Sequence, residues 1–177
     1  HDDNDGRFED ADTWRVGASY KLPGDMVRLR ASAGTGVKNP TFTELYGFFP
    51  GSFVGNPNLE PEESTSWEAG LDWQAGRLTG SLTYYDARLK NEIYTAYNPD
   101  FTSTAANRTG KSKRSGIEAA ARYALTDALT LSGQASLFDS SNETGADEIR
   151  VPSQTASLSV LWAPPEAGWQ AGAALDY

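Results

Sequence analysis

Side chains alternate between apolar and polar at a period of two over most of this chain, and that pattern commits it to β-strands with two unlike faces. From Thr13 to Leu22, Trp14, Val16, Ala18, Tyr20 and Leu22 share one face, while Arg15, Ser19 and Lys21 mark the other. Val27, Leu29, Ala31 and Ala33 then oppose Arg28, Arg30 and Ser32, and Trp67, Ala69, Leu71 and Trp73 oppose Glu68, Asp72 and Gln74. Leu78, Leu82 and Tyr84 stand against Ser81, Thr83 and Tyr85. Two further stretches carry Ala156, Leu158, Val160, Trp162 and Trp169, Ala171, Ala173, Leu175 on one side. Ile117, Ala119, Ala121, Tyr123 and Leu125 would suit a helix equally by their alanines, but their neighbours make them a strand. Each stretch runs to roughly ten residues, the length of a tilted membrane-spanning strand.

The connections alternate as regularly as the faces. Short turns at Pro23 to Asp25, Ala75 to Arg77, Thr126 to Ala128 and Pro164 to Gly168 take turns with long polar loops at Thr35 to Glu62, Lys90 to Lys113 and Asp139 to Pro152. Short turns on one rim and long loops on the other describe the two sides of an outer-membrane barrel. The face without charge suits lipid, and the face bearing Arg28, Arg30, Glu68, Asp72 and Arg122 suits a wet lumen. Trp14, Trp67, Trp73, Trp162 and Trp169 are expected near strand ends, as aromatic girdles. The expectation is an all-β chain, an antiparallel up-and-down transmembrane β-barrel segment of about eight strands within a larger barrel. The alternative is a soluble β-sandwich binding a ligand or glycan, in which Trp67, Leu71, Trp73, Leu158 and Trp162 would share a dry centre.

Composition narrows the chemistry. The net charge of −9 opposes nucleic-acid binding, which needs a basic face. With no cysteine there is no disulfide or thiolate site, and the lone histidine, His1, leaves no basis for a catalytic triad or a histidine zinc centre. The carboxylates are dispersed, so no acid and base pair stands out, and neither an enzymatic function nor a cofactor is implied. The longest apolar run, around Leu158 to Pro165, is too short for a membrane-spanning helix. The acidic start, His1 to Asp12, lacks the zoning of a signal peptide.

Four segments carry a family resemblance. Leu29 to Gly47, through Gly34-Thr35-Gly36-Val37-Lys38-Asn39-Pro40-Thr41-Phe42-Thr43-Glu44-Leu45-Tyr46, is similar to the TonB-dependent receptor stretch GTGFKAPTFxELYG. Gly55-Asn56-Pro57-Asn58-Leu59-Glu60-Pro61-Glu62-Glu63-Ser64 resembles its GNPxLKPExS element, and Trp67-Glu68-Ala69-Gly70 its WExG strand opening. Asn107-Arg108-Thr109-Gly110-Lys111, running to Gly116-Ile117-Glu118, resembles its return strand. The flavour is that of the cobalamin- and siderophore-type members.

The resemblance implies a bacterial outer-membrane receptor that imports a ferric siderophore, cobalamin or similar chelate, with ligand at the outer mouth and energy from the TonB protein. It also implies a plug domain, a coupling box and a barrel of about 22 strands. Residues 1–177 are expected to be a partial barrel domain without plug or box, whose open edge strands invite self-association. Glu60, Glu62 and Glu63 are expected to pair or solvate at the rim, making the second motif a strand-registering loop rather than a ligand contact.

The aromatic residues of the long loops are the candidate ligand site: Tyr46, Phe48, Phe49 and Phe53 in the first, Tyr94, Tyr97 and Phe101 in the second. They offer flat apolar surface to a large chelate, or pack together to order the loops. Two motifs compete with this reading. Ala105 to Ser112 imitates a phosphate-binding loop, but Ala105 replaces its first glycine. Asp3, Asp5 and Asp12 have part of the spacing of a calcium loop, though a solvated acidic loop accounts for them as well.

Overall fold

A computed structural model describes residue 8 and residues 10–47, 51–142, 144–146 and 152–177. Eight strands form one antiparallel sheet: β1 (Arg15–Lys21), β2 (Val27–Lys38), β4 (Glu62–Ala75), β5 (Leu78–Lys90), β8 (Lys111–Ala124), β9 (Leu129–Ser141), β10 (Gln154–Trp162) and β11 (Ala171–Asp176). They pair in chain order, β1-β2-β4-β5-β8-β9-β10-β11. This is the up-and-down meander that the alternating loop lengths dictate. The sheet is an open segment of barrel wall, with β1 and β11 as its edges.

Register places the expected residues together. Leu29 pairs with Leu71, Leu71 with Leu82 and Leu82 with Ala119, so one apolar row crosses four strands. Because the side-chain period is two, every strand keeps its apolar set on that same face. Those side chains stay open to the outside: Leu158 is 59% exposed, Trp67 46% and Trp162 44%. Among the described residues the buried hydrophobic core is Leu45, Leu59 and Ala105, none of them in the large sheet. A sandwich would bury Trp67, Leu158 and Trp162 instead, and that alternative is set aside.

The opposite face is polar and internally bonded. Arg30 reaches across Gly70 to the Thr83 hydroxyl and lies 3.4 Å from Asp72 and 4.0 Å from Glu68. Gly80 pairs with Trp73, whose indole lies across it, so a Cβ there would fall inside the ring. At the short-turn rim, Gly76 takes φ 59° in the two-residue turn joining Ala75 to Leu78, a conformation that glycine adopts without strain. Arg77 beside it donates to Asp127 at 2.8 Å and so ties neighbouring turns together.

Two expectations need correction. Trp67 is not near a strand end, because β4 continues five residues beyond it, to Glu62. Trp67 and Tyr84 meet at a tilt, 5.2 Å apart, where the apolar rows stop, while Trp162 and Trp169 meet edge to face at 4.8 Å at the opposite border. From the level of Trp67 onward the outward face is charged rather than uncharged: Asp86, directly opposite Trp67, and then Glu63, Arg88, Lys90, Lys111 and Lys113 all share the parity of Tyr84. The strands overshoot the apolar belt, since backbone hydrogen bonding can continue wherever water replaces hydrocarbon.

The long loops also contain structure that alternation did not reveal. A single-turn helix α1 (Phe42–Tyr46) follows β2, and three short strands, β3 (Phe53–Val54), β6 (Ile93–Tyr97) and β7 (Ser103–Asn107), form a second sheet in the order β3-β7-β6.

Candidate functional site

The site region is the joint fold of the first two long loops. Thr41 caps α1 through a reciprocal box. Its hydroxyl accepts from the Glu44 N–H at 3.3 Å, and its own N–H donates to the Glu44 carboxylate at 2.6 Å. Leu45 then points into a small core with Leu59 and Ala105, against which Phe53 and Ile93 pack. Phe53 pairs with Ser103 in a parallel register, so residues fifty apart in sequence sit side by side.

Asparagine side chains hold this core to the barrel. Asn56 donates to the Ala105 carbonyl at 2.9 Å and accepts from the Asn58 N–H at 3.0 Å, while its backbone N–H donates to Glu44 O at 2.8 Å. Asn107 accepts from the Glu60 N–H at 2.8 Å and donates to the carbonyls of Glu60 at 2.9 Å and Asn91 at 2.7 Å. Asn91 in turn donates to the Glu60 carboxylate at 2.8 Å. Glu62 accepts from Lys38 and from the Ile93 N–H, and Glu63 from Lys90. The motif Gly55 to Ser64 is therefore a stitch between loops, and Glu60, Glu62 and Glu63 pair at the rim as expected. Glu92 gathers the return strand: Ser112 donates to it, Arg114 lies at 2.6 Å and Arg108 at 3.2 Å.

Asn107→Ala is expected to raise amide exchange across residues 56–60 and 93–107 by roughly ten- to a hundredfold. It removes the side-chain half of three hydrogen bonds, each worth about 1 kcal/mol. Heat-modifiable migration of the barrel should not change. Exchange confined to residue 107 itself would show that the stitch carries no weight.

The aromatic candidates divide. Phe53 packs on the loop core. Tyr94 lies under the Arg108 guanidinium, 4.8 Å from ring centroid to carbon, and stays only partly exposed. Tyr46 stacks on Phe42 at 4.8 Å, with both rings exposed. Tyr97 and Phe101 flank the β6–β7 hairpin tip, where Phe101 is 99% exposed at φ 64°. Phe48 and Phe49 lie outside the described residues. Phe42 is missing from the sequence-based candidates because it falls within a stretch read as a long polar loop; the Thr41-x-x-Glu44 spacing was the signal that a helix would display it.

At the hairpin tip, the Thr102 hydroxyl and N–H donate to Asp100 at 2.7 and 3.1 Å and hold its carboxyl below the usual range. A lowered folded value means that this turn gains stability above the free carboxyl range and loses it as pH falls through the folded value. Thr102 amide protection should accordingly decline on acidification, and Asp100→Asn should flatten that pH response. An unchanged response in the variant would assign it to another group.

The competing motifs fare differently. Ala105 to Asn107 belong to β7, and Lys111 and Ser112 to β8, so the phosphate-loop imitation is two strand segments. Asp3 and Asp5 lie outside the described residues. Asp12 lines an open cavity of about 1070 Å³ with Asp10, Glu60, Glu63 and Lys90, and no group of metal-ligating side chains forms among the described residues. That cavity is bordered by the outward-parity Trp14, Thr35, Val37 and Thr65, away from the exposed loop aromatics.

Apolar belt outside, bonded charges inside and folded loops on one rim define a wall segment of a membrane-spanning β-barrel. The family model described as TonB dependent receptor-like, beta-barrel, matches residues 1–177, and the chain belongs to that family. It is 39% identical over 92 residues to the vitamin B12 transporter BtuB of Photobacterium profundum, a match spanning 52% of this chain and 14% of that protein. Among solved structures, the copper transporter OprC superposes with a TM-score of 0.78 at 20% identity, covering 92% of this chain and 25% of that one. The siderophore receptor PirA from Pseudomonas aeruginosa gives 0.78 at 20% identity, covering 97% and 32%. The chain thus spans about a third or less of these relatives.

Proposed function

We propose that residues 1–177 form one continuous piece of the wall and outer loops of a receptor in the bacterial outer membrane. This receptor takes up a scarce nutrient, a ferric siderophore, cobalamin or similar chelate, with energy from the TonB protein acting through a plug that the wall encloses. The observation that carries this reading is the platform made by two long loops, which displays Phe42, Tyr46, Tyr97 and Phe101 on the rim opposite the short turns. Exposed rings anchored on a packed base offer a large ligand apolar area at little conformational cost. Below them, the Arg30, Glu68 and Asp72 wall is polar enough for a hydrated passage. The family match and the likeness to a vitamin B12 transporter support uptake as the purpose.

The test is uptake of radiolabelled cobalamin and of a panel of ferric siderophores by cells that carry the whole receptor and lack their own. One of these ligands should accumulate in a TonB-dependent manner. The combined variant Tyr46→Ala, Tyr97→Ala, Phe101→Ala should weaken its binding roughly ten- to a hundredfold, the scale of losing two or three aromatic anchors. Unchanged binding by a variant that still reaches the outer membrane would remove these rings from the site.

A further inference from the structure

Where the strands overshoot the apolar belt, register creates an arrangement that β-sheets ordinarily avoid. Arg88 pairs directly with Lys113, and two residues higher Lys90 pairs directly with Lys111. Like charges set opposite each other on one face repel. Both pairs share the outward face of Tyr84 and Ile117, which also pair directly and end the apolar rows. Four cations therefore stand side by side, on the outward face beyond the end of the apolar rows.

The acidic residues of this face offset the arrangement only in part, two carboxylates meeting three of the four cations. Asp86 lies 3.5 Å from both Arg88 and Lys113, yet its side chain is only 9% exposed, against 69% and 48% for theirs. The carboxylate sits beneath the cations and positions them, leaving the basic groups outermost. Glu63 lies 3.3 Å from Lys90 and is itself exposed, so that pair is compensated at the surface. Asp139 stands opposite Ser115, one pair closer to the belt than Arg88 and Lys113. Lys111 has no acidic partner among the described residues.

Arg88 and Lys113 lie four residues past Tyr84 and Ile117, roughly 13 Å along the strand and less in height because barrel strands tilt. Flexible lysine and arginine stems can lower their charged ends further toward a membrane surface. We propose that Arg88, Lys90, Lys111 and Lys113 form a cradle on the outside of the barrel for the phosphate groups of a membrane lipid in the surrounding leaflet. Anionic headgroups would relieve the repulsion that the register imposes. The inference rests on the outer-membrane reading above, in which the lipid beside this height is phosphorylated.

The probe is bis-phosphorylated lipid A presented to the purified whole receptor in nonionic detergent micelles, with retained lipid counted by native mass spectrometry. Arg88→Gln, Lys90→Gln, Lys111→Gln and Lys113→Gln together should reduce retention sharply, at roughly fivefold per cation removed. Lys111→Gln alone should give about one such step, and Lys111→Arg should retain the lipid. Equal retention by wild type and the folded quadruple variant would overturn the proposal. So would equal retention of dephosphorylated lipid A, or displacement by inorganic phosphate at matched concentration. Membrane fractionation separates the two readings. A receptor found outside the outer membrane sinks both, while one found there that ignores the four substitutions sinks only the cradle.

Discussion

Leu158→Arg is expected to destabilise the folded barrel by about 2–4 kcal/mol, the cost of a cation facing hydrocarbon near the membrane midplane. Leu158 is 59% exposed and pairs with Leu175 and Gly133 in the middle of the apolar face. Its neighbour Ser157 lies on the polar face, among Gln134, Ser159 and Arg122. Ser157→Arg should consequently change stability by no more than about 0.5 kcal/mol, as a surface substitution bordering water does. Urea unfolding of the whole receptor in lipid vesicles would read both values. Equal penalties at the two positions would contradict the assignment of the apolar face to hydrocarbon.

Gly55→Ala should be the most damaging change in the loops, at about 3 kcal/mol or more, because overpacking is severe where the obstacle is main chain. A Cβ at this position would fall inside the backbone of Tyr46 and Gly47. No rotamer can relieve that overlap, so α1 and β3 must separate and expose Leu45 and Leu59. The expected result is a protease-sensitive segment between residues 41 and 61 in a barrel that still resists heat in detergent. Intact loops in the variant would show that the chain reroutes at low cost.

The large sheet was legible because its information is local. Each strand carries its face assignment in its own alternation, short turns pair every second set of neighbours, and the preference of consecutive strands to lie side by side supplies the rest of the order. The loop core was not legible for the opposite reason. Leu45, Leu59 and Ala105 are isolated apolar residues in polar surroundings, drawn together from segments that alternation treats as unstructured. Asn56 and Asn107 act on backbone groups of distant residues, and nothing in an asparagine's immediate neighbours announces such a partner. The candidate site was half legible. Exposed rings could be chosen by residue type, but only the fold separates Phe53, which packs, from Phe101, which projects. Overshoot of the belt was hidden too, since the apolar alternation ends at Tyr84 while β5 runs on to Lys90 through charged residues.

The parallel pairing of β3 with β7 has a consequence for engineering. Loops of barrels are commonly treated as exchangeable parts, each grafted by cutting at its own two strand ends. Here neither of the first two loops owns a complete interior: Leu45 and Leu59 come from one, Ala105 and Ile93 from the other. A chimera that transplants a single loop inherits half an interior and a mismatched strand edge. Specificity transplanted into this scaffold has to travel as a pair of segments, and natural recombination that preserves function must respect the same unit.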